Sequence, residues 1–246
     1  MCTLALLVRP GELLAASGNR NELLARPASG LAVRGGVLAP RDELAGGSWL
    51  GLNRHGLFVC VTNRHGAMID PSRKSRGLLV MEALQAHSAA GLREALGELR
   101  GDRHNGFHLV YADLRDGFVA FCDGERVQHA RLEPGRVHVV TERSFGAGEG
   151  ERERTVAAAF SGLPVTAAAW RPPMTTHAAE PLESACVHAD AVGYGTRSSL
   201  QLVVRARGAP EALWTDGHPC TNPPRDVAAL VTSVLAGAAS PALAGP

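Results

Sequence analysis

The chain has 246 residues, 45% of them hydrophobic and 20% charged, with a formal net charge of +1. Such a composition buries a sizeable core and excludes a disordered chain. Acidic and basic residues are interspersed without a basic stripe, so a nucleic-acid surface is not expected. No apolar run approaches the roughly 18 residues of a membrane span, and the first run, over 4–8, is too short for a signal segment. The expectation is a cytoplasmic protein without a transmembrane segment.

In chain order, residues 3–8 form a short apolar strand stopped by Pro10 and Gly11. Residues 13–16 read as its hairpin partner, ended by a polar turn at Gly18, Asn19, Arg20, Asn21 and Glu22. Strands over 49–52 and 57–62 flank a turn at 53–56. Helical spacing follows over 75–87, with Leu78, Leu79, Ala83 and Leu84 on one face, and over 90–100, with Leu92, Leu96 and Leu99. Strand pairs are predicted at 107–111 with 118–122, and at 126–132 with 137–141 around Pro134 and Gly135. A helix over 151–160 precedes a Pro- and Ala-rich loop over 164–181. Strands over 200–206 and 212–215 and a closing helix over 226–236 complete the chain. This order is α+β rather than a βαβ alternation, and two antiparallel sheets covered by helices accommodate it. One domain over 1–239 and a flexible tail over 240–246 are expected.

The five cysteines, Cys2, Cys60, Cys122, Cys186 and Cys220, contain no CxxC pair and are odd in number. That argues against a disulfide framework and against a zinc ribbon. Cys60 and Cys122 sit in apolar runs as core hydrophobes. His218 and Cys220 offer ligand atoms, but without a clear second pair no metal site is expected. Gly146 to Gly150 mimic a phosphate loop, yet no Gly-Lys-Ser/Thr follows and Glu149 and Glu151 repel phosphate. No Gly-x-Ser-x-Gly elbow is present.

Four segments carry chemistry. Met1-Cys2-Thr3 runs directly into a strand. Removal of Met1 would put a thiol and a free α-amine on one residue; the amine titrates near about 7.7–8.0 and can take the thiol proton. In Gly18 to Glu22, followed by Arg26-Pro27, Arg20 is suited to stabilise a thiolate, with Asn19, Asn21 and Glu22 as polar support. Trp49, in Gly46 to Gly51, is placed to line a pocket, and Asn63 ends an apolar strand where its amide can donate to an oxyanion. Gly193 to Ser199 read as a Gly-rich loop, with Arg197 available to an anion. Lys74 is the only lysine.

Taken in order, Met1-Cys2, Gly18 to Glu22 with Arg26-Pro27, Gly46 to Gly51, Asn63-Arg64 and Tyr194 to Ser199 resemble the NRDE family, also called the transport and Golgi organisation protein 2 family. The resemblance spans nearly the whole chain. It implies a four-layer αββα fold of the N-terminal-nucleophile (Ntn) hydrolases, similar to the cysteine type that includes penicillin V acylase and bile salt hydrolase. By that resemblance Cys2 is nucleophile and base, Arg20 stabilises the thiolate, Asn63 is an oxyanion donor and Arg197 is support. The family's Asp stands as Asn21 here, which keeps the hydrogen-bonding shape and loses the charge, leaving Glu22 as the acid available to the amine. The expected function is hydrolysis of a non-peptide amide through a thioester, on a small-molecule substrate and with no cofactor required. The alternative is a non-catalytic protein that binds and carries haem or a lipid-like acyl compound, as family members linked to haem trafficking suggest. Related αββα enzymes often associate, so a homo-oligomer is one expected state.

Overall fold

The computed structural model describes residues 2–148 and 150–237. Met1, Glu149 of the glycine-rich segment and the tail expected from 240 lie outside the described residues.

Two seven-stranded antiparallel sheets stack face to face. The strands are β1 (Cys2–Arg9), β2 (Leu13–Leu23), β3 (Ala28–Arg34), β4 (Val37–Asp42), β5 (Leu50–Asn53), β6 (Phe58–Asn63), β7 (Phe107–Ala112), β8 (Gly117–Cys122), β9 (Val127–Arg131), β10 (His138–Val140), β11 (His188–Ala189), β12 (Tyr194–Arg205), β13 (Glu211–Asp216) and β14 (Arg225–Asp226). One sheet has the order β10-β1-β2-β12-β13-β14, with β11 added beside β12; the other runs β3 to β9 in sequence. The helices are α1 (Arg76–Ala83), α2 (Ala89–Leu96), α3 (Glu151–Ala159) and α4 (Ala228–Leu235). Helices α1 and α2 cover β5, β6 and β8, α3 covers β10 on the other sheet, and α4 touches strands of both sheets at the side. This is the four-layer αββα arrangement.

Alternation along β1 and β2 sorts their side chains between two cores. Leu4, Leu6, Val8, Leu14 and Ala16 belong to the large core shared with Leu38, Leu52 and Phe58 of the second sheet. Ala5, Leu7, Leu13 and Ala15 face outward and pack with Val156 and Phe160 of the α3 segment, Trp170 and Met174.

Three expectations are corrected. The polar turn at 18–22 is strand: β2 is paired on both edges, with β1 along Cys2 to Arg9 and with β12 from Tyr194 to Arg205. Pairing on two edges satisfies the backbone that a turn would otherwise close on itself. The loop over 193–199 is strand from Tyr194 onward, interrupted by a register shift between Thr196 and Ser198 that leaves Arg197 bulged out. Segments 126–132 and 137–141 are not hairpin partners: β9 pairs with β8, while β10 pairs with β1 in the other sheet. The chain crosses between sheets at Pro134 and Gly135. Strands β3 and β4, absent from the sequence reading, form a hairpin at Gly35 and Gly36, both at positive φ as a tight primed turn requires.

One close backbone approach positions the loop ahead of α1. Ser75 caps α1 by accepting from the Gly77 amide at 3.2 Å, and the Ser48 amide donates to the Gly77 carbonyl at 3.1 Å. A Cβ on Gly47 would lie 2.2 Å from the Gly77 carbonyl carbon. Backbone cannot yield as a side chain does, so Gly47→Ala is expected to cost about 1–3 kcal/mol, read as a lower midpoint of thermal unfolding. An unchanged midpoint would contradict this packing.

Candidate active site

The β1–β2 register sets Cys2 directly opposite Arg20. Opposed residues of an antiparallel pair point to one face, here the face of Leu4 and Ala16, so both side chains reach the mouth of the space between the sheets. The opposite wall comes from the second sheet: Trp49, Val61 and Asn63. Ser48, Asp42 and the segment from Arg73 to Gly77 complete a cleft of about 150 Å³.

Arg20 is 4% exposed and held from three sides. Its Nη2 donates to Asp42 Oδ2 at 3.2 Å and lies 3.8 Å from Glu22 Oε2. Its guanidinium carbon sits 4.2 Å from the centre of the Trp49 ring, a cation–π contact. Its Nη1 is buried with no hydrogen-bond partner among the described residues. Burial pulls the Arg20 guanidinium below the usual arginine range, while a thiolate at Cys2, when formed, and the carboxylates of Glu22 and Asp42 act the other way.

Asp42 is the joint of this arrangement. Oδ2 also accepts from Arg26 Nε at 2.7 Å, and Oδ1 accepts from the Leu44 and Ala45 amides at 3.1 and 3.0 Å. Burial alone would raise its carboxyl, but the Arg26 hydrogen bond, the Ala45 amide and the charges of Arg26 and Arg20 together hold it below the usual carboxylate range.

The sequence-predicted residues divide. Cys2, Arg20, Asn21, Glu22, Trp49 and Asn63 line the cleft together. Asn63 ends β6 exposed, and its amide makes no hydrogen bond among the described residues. Glu22 turns toward the arginines: Oε1 accepts from the Leu23 amide at 2.9 Å, and Oε2 lies 4.0 Å from Arg26 Nε. Asn21 Oδ1 accepts from Thr196 Oγ1 at 2.6 Å. Asn19 is on the outer face and does not line the cleft; its Nδ2 donates to the carbonyls of Met174 and Ala185 at 2.8 and 2.9 Å. Arg197, re-aimed by the bulge, donates to the carbonyls of Leu23 and Arg26 and lines a neighbouring cavity behind Arg20 and Trp49.

Asp42, Arg73 and Arg76 were missed as site residues. Arg76 Nη1 donates to the Gly106 carbonyl at 3.0 Å, and among the described residues no carboxylate pairs with it. Burial pulls it below the arginine range, and a thiolate at Cys2, when formed, and the Glu22 carboxylate oppose this. Lys74 lines the cleft and is ion-paired to Glu82. The one signal for this wall was the basic run Arg73-Lys74-Ser75-Arg76 beside a Ser that caps a helix. No histidine is among the described residues that line the cleft.

A family profile described as Transport and Golgi organisation 2 matches residues 1–161. The chain belongs to that family. Two relatives in it, the human Transport and Golgi organization protein 2 homolog and its Mus musculus counterpart, are each 33% identical over 108 residues. Those matches cover 43% of this chain and 34% of each relative, so the chain aligns with about a third of their length. Among solved structures, the Caenorhabditis elegans N-acylethanolamine-hydrolyzing acid amidase ortholog superposes with a TM-score of 0.59 at 12% identity, covering 83% of this chain and 92% of that one. A C2A mutant of conjugated bile acid hydrolase from Clostridium perfringens gives 0.55 at 11% identity, over 92% and 96%. The amidase ortholog and the bile acid hydrolase share the Ntn-hydrolase-like αββα fold seen here. Among the described residues no helix is long and apolar enough to cross a membrane.

The depressed Asp42 carboxyl has a pH consequence. A carboxylate with a folded pKa below its unfolded value stabilises the fold above the unfolded value, near about 4, and loses that contribution as pH falls through the folded one. Asp42→Asn is expected to be less stable than the parent at pH 7 and to lose less further stability between neutral and strongly acidic pH. Denaturant midpoints measured across that range test it; parallel curves for the two proteins would rule out this role.

Proposed function

We propose that the chain, after removal of Met1, hydrolyses a non-peptide amide with Cys2 as nucleophile. The observation that supports this most is the convergence of Cys2 and Arg20 from one sheet with Asn63 from the other in a single cleft. Both carboxylates in that cleft, Glu22 and Asp42, are engaged by arginines. With no lining histidine among the described residues, the base nearest the thiol is its own α-amine.

In this mechanism the neutral α-amine takes the thiol proton and the thiolate attacks the amide carbon. The oxyanion that forms is met by the Asn63 side-chain N–H. Collapse breaks the C–N bond, the α-ammonium protonates the departing amine, and a thioester remains on Cys2. Water, deprotonated by the same amine, then releases the acid. Arg20, from the sheet of the thiol, and Arg76, from the helix over the other sheet, supply positive charge to the cleft. Arg76, without a carboxylate partner among the described residues, is the group we assign to an anionic substituent of the substrate.

The intact mass of purified protein is expected to lack Met1, and limiting iodoacetamide is expected to label Cys2 ahead of Cys60, Cys122 and Cys186. Burial raises the thiols of Cys60 and Cys122 and pushes that of Cys186 up to about 12. Retained Met1, or labelling without preference, would sink the mechanism. In an amide screen Cys2→Ala is expected to be inactive and Asn63→Ala to lose about 10²–10³ in kcat. Arg76→Ala is expected to raise KM for amides bearing a carboxylate and leave neutral amides unchanged; an equal effect on both would remove the anion-binding role.

A further inference from the structure

Where β11 is added to the first sheet beside β12, among residues that do not line the cleft, four side chains converge that the proposed hydrolysis does not use. They are His177, Cys186 and His188, from the long connection between α3 and β12, and Cys220, from the loop after β13. One ligand-type atom from each lies within 4.8 Å of all the others. Cys186 Sγ is 3.5 Å from Cys220 Sγ, His188 Nε2 is 3.0 Å from Cys220 Sγ and 3.7 Å from Cys186 Sγ. We propose that these four residues form a Cys₂His₂ site for a structural zinc ion.

Three observations carry this. A tetrahedral zinc with Zn–S near 2.3 Å and Zn–N near 2.0–2.1 Å separates its ligand atoms by about 3.3–3.8 Å, and the distances here scatter around that range. The donors are two thiols and two imidazoles, a set that selects zinc over hard cations. A disulfide would engage only the two cysteines and needs sulfurs about 2.05 Å apart; it leaves unexplained why two imidazoles face the same point.

The surrounding chain is built for close approach here. A Cβ on Gly195, which pairs with His188, would meet His218 Cε1 at 2.8 Å and the Val187 carbonyl at 3.0 Å. The His218 ring stacks on His188 with centroids 3.8 Å apart. The sequence holds Cys186 and His188 two apart and Cys220 far downstream, so no CxxC signature announces the set. The ion would join two loops otherwise linked by Arg171, whose Nη2 donates to the Pro219 and Asn222 carbonyls at 2.6 and 3.0 Å. It would also steady the strip that β2 leans on: Ala185 accepts from Asn19, and the Val187 amide donates at 2.8 Å to Thr196 Oγ1, which bonds Asn21.

The test uses the full chain, reduced and stripped of metal, then titrated with zinc and with cobalt(II). Expected are one ion per chain, a thiolate-to-cobalt charge-transfer band, and a higher thermal midpoint in the loaded protein. Cys2→Ala is expected to keep the band and Cys220→Ser to lose it. Because Cys186 is buried, His177→Ala, at the exposed corner, is the second variant; it is expected to weaken binding at least tenfold with circular dichroism unchanged. A second cluster, His188, Asp190 and His218, shares one residue with the site. Cobalt binding without the thiolate band, surviving Cys220→Ser and lost in His218→Ala, would overturn the assignment in favour of that cluster. Five free thiols with no metal uptake would overturn it outright. So would a Cys186–Cys220 disulfide whose reduced form takes up no ion.

Discussion

The double pairing of β2 is the constraint on which the site depends. A strand bordered on both edges fixes the direction of each of its side chains, so a run of five polar or small residues is delivered alternately to two different places. Arg20 and Glu22 enter the gap between the sheets, while Asn19 is turned to the outer layer. The Gly18 to Glu22 stretch has the composition of a turn; β1 pairs with it only as far as Arg20, and β12 holds Asn21 and Glu22 extended. The register with β1 then sets Cys2 beside a guanidinium without any loop having to place it.

Arg20 shows how charge is kept in such a place. Its burial would be costly for a lone cation. Asp42, Glu22 and the face of Trp49 offset that cost, and Asp42 is itself fixed by two backbone amides. The carboxylate belongs to the end of a strand in the second sheet, so the pair also ties one sheet to the other. An electrostatic contact at the site is thereby part of the stacking of the fold.

What was legible in the sequence follows from this physics. Strands with apolar alternation or short apolar runs, such as 3–8, 107–111 and 118–122, declare themselves because their burial is local in pattern. Helix α1 was legible through Ser75 and its leucine spacing. Residues 18–22 and 194–199 were not, because their extended form is imposed by neighbours distant in sequence and overrides turn-like composition. The β9-to-β10 crossover was misread as a hairpin because turn residues tell where a chain bends and not which sheet it enters next. Cys2, Arg20, Trp49 and Asn63 were legible as a set, whereas Asp42 and Arg76 become site residues only when the second sheet is laid over the first. The β3–β4 hairpin carried a legible signal in Gly35-Gly36 that its mixed flanking residues obscured.

The two walls of the cleft come from different sheets, and no strand pairing joins Cys2 to Asn63. Their separation is therefore set by how thickly the apolar filling beneath them, Leu4 on one side and Val61 on the other, props the sheets apart. The gap behaves like the jaw of a vice whose screw is hydrocarbon volume. Trading methyl groups in that layer would change the width of the cleft with every polar residue lining it left untouched.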